Sequence, residues 1–218
     1  MKIYFIRHGE TDWNRKRKIQ GQADIPLNDT GRKQAEAAAI WLRNVMFDAI
    51  FSSPLARARE TAEIIRNGRD IPVYIDERLK EIAYGSCEGM SLRLIHACPF
   101  LRLHTYFEKP QNYIPPKGGE SIQELKARCR SFLEERILPM EEVYGSVMVA
   151  CHGALIRAMI GVVASLSDDD FWKGKAQGNC AVTTMECRNH KIELLEEAVD
   201  TQLNDIQKRI DIRRVTIE

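Results

Sequence analysis

Reactive side chains follow directly on the first apolar run of the sequence. Residues Ile3–Ile6 read Ile-Tyr-Phe-Ile, which is typical of a strand buried on both faces. The run ends in Arg7-His8-Gly9-Glu10-Thr11, where a guanidinium, an imidazole and a flexible glycine stand together. Open α/β sheets bind their ligands outside the carboxyl ends of the strands. This position therefore predicts a functional site at His8 rather than a histidine packed in the core.

The pentapeptide Arg7–Thr11 resembles the signature of the histidine phosphatase superfamily, which also contains the cofactor-dependent phosphoglycerate mutases. The resemblance implies that His8 is the nucleophile and carries the phosphoryl group as phosphohistidine. A histidine attacks only when it is unprotonated, and an ordinary pKa of about 6.5 leaves much of it so at neutral pH. Arg7 would stabilise the oxygens of the transferred group.

A second block, Phe51–Ala62, is similar to the family's second conserved segment and places Arg57 where the family has a phosphate-clamping arginine. A guanidinium at a helix N-terminus combines a bidentate fork with the positive end of the helix dipole. Arg59 follows two residues later and would face elsewhere on the helix, so a surface position is predicted for it.

A third block, Arg78–Gly89, contains two candidates for the general acid. In the phosphatase branch of the family, a glutamate shortly before a Gly-x-x-Glu-Gly run has that role, and Glu81 matches this place. A general acid would protonate the leaving alkoxide and then deprotonate the water that attacks phosphohistidine. Glu88 is the alternative, and motif position alone favours Glu81.

A fourth block, Val149–Gly153, ends another apolar run in Cys151-His152-Gly153. The His-Gly ending repeats that of the first strand, which packing does not explain. The resemblance implies that His152 binds phosphate and stabilises charge during transfer. It also implies phosphate contacts from four residues of the segment after the nucleophile: Thr11, Asn14, Gln20 and Gly21.

The composition excludes several other classes of protein. A net charge of +1 over 218 residues gives no electrostatic basis for binding nucleic acid or a membrane. No apolar run approaches the roughly 18 residues of a membrane span, and the N-terminus lacks a signal-peptide pattern. The expected partner is a small phosphorylated metabolite, the expected location is the cytoplasm, and a homodimer is compatible with the sequence. The six cysteines form no CxxC pair, which favours free thiols: Cys87, Cys98, Cys129, Cys151, Cys180 and Cys187.

Neither a metal nor another cofactor is expected. His96-x-Cys98 with His104 matches no standard zinc spacing. The acidic run 168–170 is better explained as the start of a helix than as a magnesium site.

Strand and helix patterns alternate along the chain, which predicts an α/β fold with a mostly parallel sheet. The resemblance implies a three-layer, phosphoglycerate mutase-like sandwich in which helices flank the central sheet, formed by one domain over residues 1–218. Strands are predicted at 3–6, 48–53, 71–75 and 146–150, with a hairpin at 181–195. Helices are predicted after Thr30, Pro54 and Ser121. The last twenty residues are amphipathic and charged.

Residues Met90–Lys117 break the alternation, with prolines, histidines and aromatic residues, and are interpreted as a helical insertion over the active site. One hypothesis makes this insertion a substrate lid, in which aromatic side chains hold the leaving group. The other hypothesis is that the aromatic residues only seal the edge of the sheet.

The leading functional prediction is a phosphatase that hydrolyses a small-metabolite phosphate monoester. A cofactor-dependent phosphoglycerate mutase is the alternative, but the segment Ile82–Gly89 is closer to the phosphatases. A non-catalytic phosphate-binding module ranks last, because such proteins usually lose the nucleophile or a phosphate arginine, and this sequence retains them.

Overall fold

The computed structural model describes residues 1–202, and these are organised around one six-stranded sheet. The strands are β1 (Lys2–Arg7), β2 (Ala49–Ser52), β3 (Val73–Ile75), β4 (Ser146–Cys151), β5 (Val182–Arg188) and β6 (Lys191–Val199). Their order is β3-β2-β4-β1-β5-β6. The first four are mutually parallel, while β5 runs antiparallel to β1 and β6 antiparallel to β5. The predicted α/β fold with a mostly parallel sheet is confirmed.

The α-helices within these residues are α1 (Asp12–Arg15), α2 (Asp29–Trp41), α3 (Ala56–Arg66), α4 (Leu92–Ala97), α5 (Arg102–Glu108), α6 (Ile122–Phe132) and α7 (Gly153–Val163). A π-helical turn, Leu133–Ile137, extends α6. Short 3-10 helices lie at Glu77–Leu79, Gly85–Cys87, Pro110–Asn112 and Leu138–Met140.

Helices cover both faces of the sheet, and the alternation of side chains along β1 shows how. Ile3 and Phe5 are fully buried on the face that packs against α6 and α7. Ile6 points to the opposite face and packs with residues of α2 and α3. Because a strand buried on both faces needs apolar residues at successive positions, the run 3–6 is apolar throughout. The three-layer arrangement is confirmed.

The helix ends follow local sequence signals, with one correction. Asn28, not Thr30, caps α2: its side chain accepts a hydrogen bond from the N–H of Gly31 at 2.9 Å. Thr30 lies in the first turn of that helix instead. The predicted capping box of α6 is present, with Ser121 and Glu124 each satisfying the other's backbone N–H. Asparagine is as efficient an N-cap as serine or threonine, so Asn28 was also a candidate in the sequence.

The insertion 90–117 contains two short helices, as predicted, but two of its four aromatic residues belong to the core. Tyr106 is fully buried and Tyr113 is 7% exposed, both within the cluster that packs under α6 and α7. Phe100 points away from the protein and is 95% exposed. Only part of the insertion can therefore contact a substrate.

Three further predictions, on the hairpin, the acidic run and the cysteines, have clear outcomes. The hairpin of β5 and β6 is present, with Asn189 and His190 both at positive φ in the tight turn between the strands. The acidic run 168–170 lies in a turn and does not start a helix; Asp168 instead accepts a hydrogen bond from Lys126 at 2.6 Å. All six cysteines are free thiols. The prediction for the last twenty residues falls mainly on residues 203–218, outside the described part of the chain.

Within residues 1–202, no helix has both the length and the apolar character needed to cross a membrane.

Candidate active site

His8 lies at the carboxyl end of β1, and its backbone holds it there firmly. Its N–H donates to the carbonyl of Cys151 at 3.0 Å, which continues the parallel ladder between β1 and β4. Its carbonyl accepts from the side-chain amide of Asn179 at 3.0 Å. A Cβ added at Gly9 would lie 2.4 Å from the carbonyl oxygen of Gly31, so only glycine allows the chain to turn this closely against α2.

The hydrogen bond of the His8 ring fixes its tautomer. Nδ1 lies 2.7 Å from the carbonyl oxygen of Gly9, and a carbonyl can only accept. Nδ1 therefore carries the proton, and Nε2 keeps a free lone pair. Burial lowers the pKa of His8 well below 6.5, and the positive charges of Arg57 and Arg7 lower it further. His8 is thus neutral and nucleophilic at physiological pH.

Two arginines, the buried Arg57 and the partly buried Arg7, place fixed positive charge beside this ring. Arg57, in the first turn of α3, donates from Nη1 to Ala23 O and from Nη2 to Gly21 O, both at 2.7 Å. Burial lowers its pKa to about 10, against the opposing effect of Glu81, so the group stays charged at neutral pH. Burial also lowers the pKa of Arg7, which donates to the carbonyl of Gln177.

Neither arginine uses all of its donors within the protein. The Nε atoms of Arg7 and Arg57 are buried and have no hydrogen-bond partner among the described residues. Buried donors without partners are uncommon and call for an explanation. An anion bound in the cavity would accept hydrogen bonds from these donors, which explains why the protein leaves them without partners.

His152 follows β4 and lies beside His8, with 5.2 Å between the ring centroids. Its Nε2 is 2.8 Å from the hydroxyl oxygen of Ser53, and its Nδ1 has no partner in the described structure. Burial is the main reason why its pKa falls well below 6.5, with Arg57 and His8 adding to the effect. The ends of β1 and β4 thus bring together the two His-Gly sequences.

The structure places the two glutamates in different surroundings. The carboxylate of Glu81 accepts hydrogen bonds from Ala154 N at 3.1 Å and Leu155 N at 3.0 Å, at the N-terminus of α7, and it lines the cavity. Glu88 instead accepts from Gln22 N at 2.9 Å and Tyr84 N at 3.2 Å. It is absent from the cavity wall and holds the loop that carries Gly21. The geometry favours Glu81 as the acid.

The segment after the nucleophile contributes three of its four predicted contacts to the cavity wall: Asn14, Gln20 and Gly21. Thr11 does not line it. Its buried hydroxyl lies 2.8 Å from Oε1 of Gln20 and accepts the N–H of Asn14 at 3.2 Å, which caps α1. Thr11 therefore orients its neighbours from behind the wall.

These groups open onto one cavity of about 520 Å³. Seven of the predicted site residues line it: Arg7, His8, Asn14, Gln20, Gly21, Arg57 and Glu81. Among residues 1–202, no cluster of three or more His, Cys, Asp or Glu side chains is arranged to hold a metal ion. A nucleophilic nitrogen, fixed cations and a carboxyl around one cavity can transfer a phosphoryl group.

Sequence reasoning missed part of the wall. Arg157, Trp172 and the segment 174–177 also line the cavity. Arg157 had a usable signal, since it is the one charged residue in the helix Gly153–Val163. Segment 174–177 had none, because it carries no motif and reaches the site only through the fold.

Comparison with known proteins places this geometry in a family. Residues 3–200 match the model of the histidine phosphatase superfamily (branch 1). The uncharacterized phosphatase PhoE of Bacillus subtilis is 31% identical over 208 residues, covering 94% of this chain and 98% of that protein. A 2,3-bisphosphoglycerate-dependent phosphoglycerate mutase of Cytophaga hutchinsonii is 32% identical, covering 78% and 80% of the two chains. The mycobacterial glucosyl-3-phosphoglycerate phosphatase structure with VO3 superposes with a TM-score of 0.81 at 31% identity, over 91% of this chain and 98% of that one.

Proposed function

This chain belongs to the histidine phosphatase superfamily, and we propose that it hydrolyses phosphate monoesters of small metabolites through a phosphohistidine on His8. The observation that carries the proposal is the orientation and hydrogen bonding of the His8 ring. Its Nδ1–H is held by the Gly9 carbonyl, so Nε2 is free to attack beside Arg7 and Arg57.

In the first step, Nε2 of His8 attacks the phosphorus atom and the ester P–O bond breaks. Arg7, Arg57 and His152 stabilise the oxygens as negative charge spreads over them. Asn14, Gln20 and the backbone of Gly21 donate further hydrogen bonds to the same group. Each of these residues lies in the cavity wall or, for His152, against the His8 ring.

Glu81 moves the proton in both steps. It protonates the leaving alkoxide oxygen, which departs as an alcohol. It then takes a proton from the water that attacks the phosphohistidine, and inorganic phosphate is released while His8 regains its lone pair. Glu81 is the one carboxyl among the described residues that line the cavity.

Trapping the phosphoenzyme tests this proposal. Wild-type protein mixed with p-nitrophenyl phosphate and quenched in base should show a phosphorylated peptide containing His8, because phosphohistidine survives base. His8→Ala should show no phosphopeptide and no turnover. Phosphate release should also continue in EDTA, since the nucleophile and the arginines supply what a metal would otherwise provide. Near-normal turnover by His8→Ala would exclude His8 as the nucleophile.

A phosphoglycerate mutase is the second candidate, supported by the similarity to the Cytophaga hutchinsonii mutase. A panel of phosphorylated metabolites, scored for free phosphate with and without 2,3-bisphosphoglycerate, separates the two activities. Phosphate release that does not need the bisphosphate supports the phosphatase. Isomerisation of a monophosphoglycerate that requires it supports the mutase.

The proposal also covers the type of substrate, the cellular location and the oligomeric state. A net charge of +1 and a cavity of about 520 Å³ suit a small metabolite rather than nucleic acid or a membrane surface. Six free thiols suit the cytoplasm. A homodimer is tested by the mass of the protein in solution.

A further inference from the structure

Beyond the phosphate cluster, the cavity wall is cationic. Lys18, Arg157 and Lys175 line it, whereas Glu81 is the one acidic residue among the described lining residues. The proposed chemistry uses Arg7, Arg57 and Glu81 but none of these three cations. They are available to a different part of the substrate.

Arg157 is built into this wall at a fixed position. It is 3% exposed, its Nε donates to the carbonyl of Phe171 at 3.1 Å, and its Nη1 contacts the carboxylate of Glu197. Its Nη2 is buried and has no hydrogen-bond partner among the described residues. A charged donor without a partner in a cavity wall favours an anionic acceptor from a ligand.

Lys175 stands beside Arg157 on the segment 174–177. Its backbone N–H donates to Glu197 at 3.1 Å, so the same carboxylate anchors both cations. Within residues 1–202 its ammonium group has no hydrogen bond or ion pair. Lys173 by contrast is paired with Asp170 at 3.8 Å.

An aromatic pair forms the adjoining wall. Phe107 from α5 and Trp172 are stacked, with 5.6 Å between ring centroids and 21° between ring planes. The Trp172 indole N–H donates to the carbonyl of Tyr106 at 2.8 Å, which fixes the ring. Such a surface suits the carbon skeleton of a ligand.

We propose that the substrate is a phosphomonoester whose organic part carries a second anionic group, held by Lys175 and Arg157, with its carbon skeleton against Phe107 and Trp172. A carboxylate and a second phosphate share the required chemistry. The inference rests on the proposed phosphatase function and adds the class of its substrate.

Three alkyl esters with the same leaving oxygen test this proposal: pentyl phosphate, 5-phosphooxypentanoate and pentane-1,5-diol bisphosphate. Wild-type kcat/KM for at least one of the two esters with an anionic tail should be about 10- to 100-fold higher than for pentyl phosphate. This is the gain expected from a hydrogen bond to a charged group. The carboxylate and bisphosphate arms show which tail is preferred.

The variants locate the subsite. Lys175→Gln should lower the preference for an anionic tail several-fold, and Lys175→Glu should abolish or reverse it. Arg157→Lys keeps the charge but loses the fork, and should lower the same preference if its melting temperature is near that of wild type. Lys173→Gln, which removes the same charge two residues away and outside the cavity, should leave the preference unchanged.

The experiment distinguishes failure of the second-anion site from failure of the proposed phosphatase function. If wild-type protein hydrolyses all three esters with equal kcat/KM, the second-anion site is overturned and the phosphatase function stands. The same holds if Lys175→Gln and Lys175→Glu lower activity equally on all three, because Lys175 would then act on the transferred phosphate. If no ester and no aryl phosphate is hydrolysed, the proposed function falls and the inference falls with it.

Discussion

At His8, the groups that surround the imidazole keep it unprotonated. Burial is the largest influence, followed by the charges of Arg57 and Arg7, and all three lower its pKa. We therefore expect the His8 ring to stay neutral in the free enzyme at pH 6, below the ordinary histidine pKa. In Arg57→Ala the pKa of His8 should rise, because a positive charge has been removed. NMR titration of the imidazole, assigned with His8→Ala, measures both values; an unshifted pKa near 6.5 would contradict the expectation.

Glu81 and Glu88 give a second prediction at this scale, because one lines the cavity and the other holds a loop. Glu81→Gln should slow alkyl phosphates about 10²–10⁴-fold. It should slow p-nitrophenyl phosphate far less, since that leaving group scarcely needs a proton. Arg57→Ala should slow both substrates, because it acts on the phosphoryl oxygens. Glu88→Gln, the matched control, should mainly lower the melting temperature. If Glu81→Gln instead slows both substrates equally, a different residue is the general acid.

At the scale of elements, the insertion 90–117 is partly core and partly cavity wall, so deleting it would unfold the protein. A single substitution is the sharper test. Phe107→Ala should lower kcat/KM for esters with a carbon skeleton by about tenfold, as for other lost apolar contacts in a pocket. Inhibition by inorganic phosphate should change little, because the phenyl ring of Phe107 donates no hydrogen bond to phosphate oxygens. Phe100→Ala removes an equal ring that is 95% exposed and should change neither quantity.

Features that depend on residues close together in the sequence were predictable, and features that depend on distant contacts were not. The strand 146–150 and the capping box at Ser121 were identified because apolar runs and capping side chains act within a few residues. The residues of the proposed phosphate site were predicted as a group because a motif follows each of the strands β1, β2 and β4, and the structure brings them together. Arg157 and the segment 174–177 were missed, since their place in the wall depends on contacts with Glu197, twenty or more residues away. The burial of Tyr106 depends likewise on distant packing.

At the scale of the whole molecule, the sheet order creates the site. β1 and β4 are adjacent and parallel, so Arg7 and Cys151 pair in register and the two histidines that follow come side by side. β2 lies next to β4 and delivers Ser53 and then Arg57 to the same edge. Residues distant in sequence meet there because parallel strands end together. The folded state must therefore hold several ionisable groups out of water.

That burial makes stability depend on pH. Both His8 and His152 have pKa values well below 6.5 in the folded protein, mainly because they are buried. Below about pH 6.5 the unfolded chain binds protons at these histidines while the folded protein does not, so stability is full above that pH and falls as pH drops towards the folded pKa values. The limiting slope is about 1.4 kcal/mol per pH unit for each histidine.

Urea unfolding at pH 7.5, 6.5 and 5.5, in a buffer without phosphate, measures this dependence. Phosphate is left out because an anion bound to the folded state would add stability of its own. The free energy of unfolding should decrease over this interval in wild type. His8→Gln should show a shallower decrease, since one of the two buried imidazoles is gone. Because carboxylates titrate mostly at lower pH, a wild-type stability that stays constant from pH 7.5 to 5.5 would show that the two histidines are not held neutral by the fold.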